Sequence, residues 1–165
     1  MATHATTRNI SGLARALASA GVMSEYDAEA MQLQSQQAGI TFVEQLLTSK
    51  RISAQQLALF GSRAFGVPLL DLAAFDTELI QKEFFDAKTS QLRRVLPLHK
   101  RGNRLFVATS DPANLQALEE VRFKTNLVVD PVVVEDDKLM QAIHKLLEST
   151  GSALRDMSTG LEDIE

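Results

Sequence analysis

Laid over itself at an offset of 29 residues, the N-terminal half of the chain matches in kind: GLARALASAGVMSEYDAEAM (12–31) falls on TFVEQLLTSKRISAQQLALF (41–60). Leu13 meets Phe42, Leu17 meets Leu46, Met23 meets Ile52, Ser24 meets Ser53, Ala28 meets Leu57 and Met31 meets Phe60. Identities are few, so the shared spacing carries the repeat. Each copy reads as a short helix, a tight corner and a second helix. Ser53 with Gln56 forms a capping box, and Ser24 with Asp27 resembles one built with a shorter acid. Gly21 suits the left-handed residue that ends the first helix of copy one; Lys50, at the equivalent point, adopts it less easily. Hairpins this short bury their apolar stripes only against each other. The spacing therefore predicts a four-helix unit over 10–66, within a helical repeat subdomain spanning 10–74.

The second half changes character. FDTELIQKEFFDAKTSQLRR (75–94) predicts one or two short helices, and VLPLH (95–99) and RLFVAT (104–109) predict strands of a hairpin turning at Gly102-Asn103. Pro97 lacks an N–H and places its strand at a sheet edge. Asp111 before Pro112 reads as the N-cap of a helix whose buried stripe is Leu115, Leu118 and Val121. LVVDPVVV (127–134) predicts a strand bent or interrupted at Pro131, and DDKLMQAIHKLLEST (136–150) a closing helix. The expected class is α+β: two helical hairpins, then a small α/β sandwich ordered helix-β-β-α-β-α over 75–148, its helices on one face. Residues 1–9 are expected as a disordered arm and 149–165 as an acidic flexible linker.

Several functions are excluded by residue usage. No Cys leaves neither a disulfide framework nor a thiolate metal site and points to the cytoplasm. A net charge of −4, one Tyr and no Trp argue against nucleic-acid binding. No apolar run approaches the roughly 20 residues needed to span a bilayer, so no membrane insertion is expected. ATP hydrolysis needs G-x-x-x-x-G-K-[ST], and neither Lys88-Thr89 nor Lys124-Thr125 follows a glycine. No metal site and no catalytic constellation is expected: His4, His99 and His144 lack ligand spacing, and no nucleophile elbow occurs. The strand-to-helix corner at Ser110-Asp111-Pro112 has the form of an anion site, but an acid already sits at the helix start and no nearby glycine permits close backbone approach. It reads as a turn. Arg93, Arg94, Lys100, Arg101 and Arg104 gather around the hairpin, where charge protects an exposed edge.

The tandem hairpins followed by FGVPLLDL (65–72), with VLPL, RLFVATSDP and ALEEVRF inside 93–134, resemble the N-terminal (MshEN-like, type II secretion E) domain of the PilB/MshE family of type IV pilus and type II secretion ATPases. The resemblance covers about residues 10 to 148. It implies a missing ATPase module that would hold ATP and Mg, so no enzyme is expected in the chain itself. It also implies a PilZ-type adaptor protein with a cyclic di-GMP receptor upstream, the parent's hexamer, and recruitment to the inner-membrane pilus platform.

In MshE-type members each repeat follows approximately RLGxxLxxxGxxxxxxLxxxLxxQ, and the two repeats clamp one cyclic di-GMP. By that resemblance the gripping positions fall here on Gly12, Ala14 and Ser35 in one copy and on Thr41, Val43 and Ala64 in the other. Every Arg, first Gly and Gln of the pattern is replaced. Charge-assisted hydrogen bonds are worth about 1.5–3 kcal/mol each. Losing three weakens binding by roughly 5 kcal/mol, several thousandfold. Cyclic di-GMP binding is thus expected to be absent or weak, with Arg15 the residue nearest to rescuing it. An apolar groove that no longer holds a nucleotide suits a protein surface, and Ile10, Leu13, Leu17, Val22, Met23 and Tyr26 are the candidate partner contacts. The resulting expectation is a regulatory interaction domain of the pilus extension motor; the alternative is a cyclic di-GMP sensor domain of the same family.

Overall fold

The computed structural model describes the backbone of residues 10–162 and the side chains of residues 10–151. The arm expected over 1–9 lies outside the described residues. The duplication folds as its spacing dictates. Helices α1 (Gly12–Ser19) and α2 (Glu25–Ala38) form one hairpin, α3 (Phe42–Thr48) and α4 (Ala54–Phe65) the other. Ser24 accepts from the Asp27 N–H, and Ser53 and Gln56 complete the reciprocal box at α4. Both first helices close with the same bond, Gly21 N–H to Ala18 and Lys50 N–H to Leu47, each 3.1 Å. Leu13, Leu17, Met31, Val43, Leu46 and Leu57 make one shared core, in which Leu17 and Leu46 are fully buried.

After α4 the chain makes three single 3-10 turns (Leu72–Ala74, Thr77–Leu79, Lys82–Phe84) and then α5 (Ala87–Arg93), β1 (Val95–Arg101), β2 (Arg104–Thr109), α6 (Leu115–Thr125), β3 (Val128–Val133) and α7 (Asp136–Glu162). The order is the one expected. β1 pairs antiparallel with β2 across a turn at Gly102 (φ 64°), and β2 pairs parallel with β3 through the α6 crossover. β1 is an outer strand, and its register slips between Pro97 and His99, where proline removes a ladder donor.

Four expectations change. The helices flank both faces of the sheet, not one. Val95, Leu105 and Val107 pack under Ala117, Leu118 and Val121 of α6, while Leu96, Leu98 and Ala108 pack under Leu139, Ile143 and Leu146 of α7. Neighbours such as Val95-Leu96 and Val107-Ala108 point to opposite faces, and burying both requires a helix layer on each side. β3 runs through Pro131 without interruption, because Pro131 lies opposite Val107 in a parallel register. The chain joins the sheet unit from Pro68, ahead of the boundary expected at residue 74: Leu70 N–H donates to Val133, Val133 N–H donates to Pro68, and Leu72 enters the core under α7. Finally, α7 carries its helical backbone to Glu162, through most of the stretch expected as a linker.

Lys50 stands at φ 59°, a left-handed conformation in which the Cβ of an L-residue is strained, whereas Gly21 occupies the equivalent corner at φ 73°. Replacing Lys50→Gly is expected to stabilise the fold by about 0.5–1 kcal/mol, and Gly21→Lys to destabilise it by a similar amount. Urea unfolding midpoints at constant slope provide the measurement.

Candidate functional site

The corner after β2 is where the two units meet. Asp111 does not cap a helix beginning at Pro112. Its carboxylate accepts from the Ala113 N–H (3.0 Å) in a local turn, and α6 begins three residues later than expected, with Asn114 accepting from Ala117 N–H (3.3 Å). The shift turns Leu115 outward, so the buried stripe is Ala117, Leu118 and Val121. The turn Asp111-Pro112-Ala113 projects against the repeats as a wedge. Ala113 packs on their core, and a methyl group at Gly12 would stand 3.4 Å from Ala113 Cβ. A methyl group at Gly61 would stand 3.4 Å from Pro112 Cδ. Two glycines therefore lie at the corner, but they come from the other unit and face protein.

Beside the wedge lies a polar cavity of about 360 Å³, lined from the repeats by Ser35, Gly39, Thr41 and Val43 and from the sheet unit by Arg93, Arg94, Ser110, Asp111 and Asn114. Three of the six degenerate motif positions, Ser35, Thr41 and Val43, thus converge on one site. The others do not. Ala64 lines a separate groove of about 650 Å³ with Ala16, Leu59 and Phe60; Gly12 packs on Ala113; Ala14 is buried beside Ile10 and Ala28. The converging side chains already have local tasks: Thr41 caps α3 through the Glu44 N–H (3.1 Å), Ser35 donates to the Gln32 carbonyl (2.7 Å), and Val43 is core. Arg15 donates to the Ile10 carbonyl (3.0 Å).

The cavity's arginines are also engaged. Arg93 pairs with Glu120 (3.1 Å). Arg94, in a left-handed conformation (φ 53°), buries its guanidinium between Glu44 of α3 (3.0 Å) and Asp136 at the start of α7, and Ser110 donates to the second Asp136 oxygen (2.8 Å). Burial pushes the Asp136 carboxyl above the usual carboxylate range, with Arg94 and Ser110 acting the other way. Burial likewise pushes Asp111 up to about 6, against the two backbone N–H groups it accepts from. A phosphate here meets committed cations and a resident carboxylate.

The candidate partner contacts separate by burial. Ile10, Leu13 and Leu17 are core and offer nothing to a partner, because the hairpins spend these side chains on each other. Met23 is half-buried between two clusters. Val22 (49% exposed) and Tyr26 (66%) stand outward, and the structure adds Leu33 (52%) seven residues beyond Tyr26 on α2. The helical 3–4 period carries this outer stripe beyond the corner residues. Around it α2 carries Glu25, Asp27 and Glu29 and no basic residue. Of the basic cluster, Arg104 pairs with Asp130 (2.6 Å), Arg93 and Arg94 are paired as above, and Lys100 lies 6.0 Å over the Phe84 ring. His99 and His144 are exposed on separate elements.

Duplicated helical hairpins wedged onto a three-stranded α/β unit make a fold similar to that of two solved structures. These are MshE with cdg, cyclic di-GMP (TM-score 0.58, 22% identity, 82% of this chain and 99% of that one), and the N-terminal domain of XpsE (TM-score 0.62, 19%, 80% and 91%). Residues 65–153 match the MshEN domain family, and the chain belongs to that family. The matched segment begins at the end of α4, after the repeats. In sequence the chain is 40% identical over 156 residues to the type IV pilus assembly ATPase PilB of Pseudomonas aeruginosa, covering 94% of this chain and 27% of that protein. It is 36% identical over 139 residues to PilB of Acinetobacter baylyi, covering 84% and 24%. The chain therefore spans about a quarter of the length of these curated relatives. Among the described residues no helix is long and apolar enough to cross a membrane.

Because the folded-state pKa of Asp111 is raised, the folded chain holds this proton where the unfolded chain has released it. The stabilising contribution is greatest below the unfolded value of 3.8 and is lost as pH rises through about 6. Asp111→Asn keeps the acceptor oxygen and removes the charge. It is expected to raise the melting temperature by a few degrees at pH 8 and to change it little at pH 4.5, as read by thermal denaturation.

Proposed function

We propose that this chain is the regulatory, protein-binding N-terminal domain of a type IV pilus assembly ATPase, which receives a PilZ-type adaptor and passes its signal to the motor. The observation that carries the reading is the combination of an intact duplicated scaffold, gripping positions occupied by small or self-satisfied side chains, and an exposed apolar stripe, Val22, Tyr26 and Leu33, along an acidic helix. An apolar strip with a charged rim is the form of a specific, non-obligate interface, in which aromatic anchors supply most of the affinity and the rim supplies orientation. By the family resemblance, hexamer formation, ATP and Mg binding and recruitment to the inner-membrane platform belong to the rest of the parent, in the cytoplasm. Tyr26→Asp and Val22→Asp place charge on the stripe without entering the core. Each is expected to weaken adaptor binding at least tenfold with an unchanged melting temperature. Binding of both variants at wild-type strength, measured by titration with the purified adaptor, would remove this face from consideration. Met23 is unsuitable for the same test, because a charge there enters the core.

A second reading, a cyclic di-GMP sensor, is favoured by the convergence of Ser35, Thr41 and Val43 on a polar cavity and by the MshE structure with cdg. Among the described residues both arginines lining that cavity are already paired, which weighs against it. Titration calorimetry with cyclic di-GMP is expected to show no binding tighter than about 100 µM, consistent with the several-thousandfold loss above. A dissociation constant of 1 µM or below would replace the first reading with the second.

A further inference from the structure

Among the described residues the helical repeats and the sheet unit touch through apolar contacts at the wedge, through α4 beside β3 and α7, and through a charged group that reaches into both, Arg94. Arg94 belongs by sequence to the sheet unit, as the left-handed residue linking α5 to β1. That conformation aims its side chain out of the sheet unit and into the junction. There the side chain, 13% exposed, holds Glu44 of α3 on one side and Asp136 of α7 on the other through its guanidinium. The planar fork of arginine binds two carboxylates in fixed directions, which a lysine cannot do. The two acids are unequal. The Glu44 side chain is 40% exposed and lies three residues from Thr41 at the cavity rim, whereas Asp136 is buried and held again by Ser110. A displacement of α3 thus releases the exposed arm first and changes the charge environment of the buried one.

We propose that Arg94 is the coupling element of this domain: the Glu44–Arg94–Asp136 bridge transmits the position of α3 in the helical repeats to the first turn of α7, the long helix that runs out of the sheet unit. The bridge is indifferent to which partner or ligand moves the repeats, so it goes beyond the functional reading above and stands apart from it. The groups facing the guanidinium are Glu44 from α3 and Asp136 from α7, with Arg93 beside it on α5, itself paired with Glu120 of α6. Coupling of this kind is reciprocal: a perturbation at either end must be felt at the other.

Amide hydrogen exchange on the full chain tests both directions. Glu44→Gln, a change confined to the repeats, is expected to quicken exchange of the Leu139 to Ile143 amides in α7 about fivefold. Asp136→Asn is expected to quicken the Val43 to Leu46 amides of α3 by a comparable factor. The Leu105 and Val107 amides of the central strand should stay unchanged in both, since general destabilisation would quicken them equally. In an Arg94→Met background, which keeps the aliphatic stem, Glu44→Gln should leave α7 unaffected. Unchanged α7 exchange in Glu44→Gln overturns the proposal, as does an effect that the central strand shares. An effect that survives in the Arg94→Met background overturns it too. If Arg94→Met does not fold, the reciprocal pair of single variants decides the matter alone.

Discussion

A guanidinium inside a protein must be surrounded by acceptors, because removing its hydration costs several kcal/mol unless opposite charge replaces it. Arg94 meets that condition only when two separate pieces of chain are in place, α3 with Glu44 and the start of α7 with Asp136, the latter steadied by the hydroxyl that Ser110 donates to it. The left-handed backbone that aims the side chain adds roughly 1–2 kcal/mol of strain. Apolar contacts at the junction tolerate sliding, whereas a two-carboxylate clamp fixes one orientation. The clamp therefore adds a directional constraint to the packing at the wedge, while most of the stabilisation comes from the buried leucines and valines on either side.

The wedge works with that clamp. Its Ala113 and Pro112 lie against Gly12 and Gly61, one from each repeat, so the duplicated hairpins hold a piece of protein between them. In the same region Thr41 caps α3, Ser35 donates to the Gln32 carbonyl and Val43 packs in the core, so these side chains serve the repeats themselves.

The repeat was legible from its first leucines, since a 29-residue offset with matching caps leaves hairpins few ways to fold; the element order of the second half followed from period and turn chemistry. What sequence could not show depended on long-range placement. Asp111-Pro112 has every local sign of a helix start, yet the tertiary contacts of Pro112 and Ala113 delay the helix to Leu115. The two-faced sheet was hidden because consecutive apolar residues such as Val95-Leu96 read alike whether one or both faces are covered. Arg94 sat in a basic cluster whose local reading was edge protection, and only the fold brings Glu44, fifty residues earlier, to meet it. Ile10, Leu13 and Leu17 read as possible surface because an emptied groove needs a new occupant, whereas the hairpins had already closed over them.

The 27 residues of α7, at about 1.5 Å each, make a rod of roughly 40 Å. Its inner half is bolted to the sheet by Leu139, Ile143 and Leu146, and its pivot is the carboxylate that Arg94 holds. Geometry magnifies anything that happens at such a fulcrum. A tilt of about 3° moves the distant tip by roughly 2 Å, nearly ten times the shift at Leu139 one turn from the pivot.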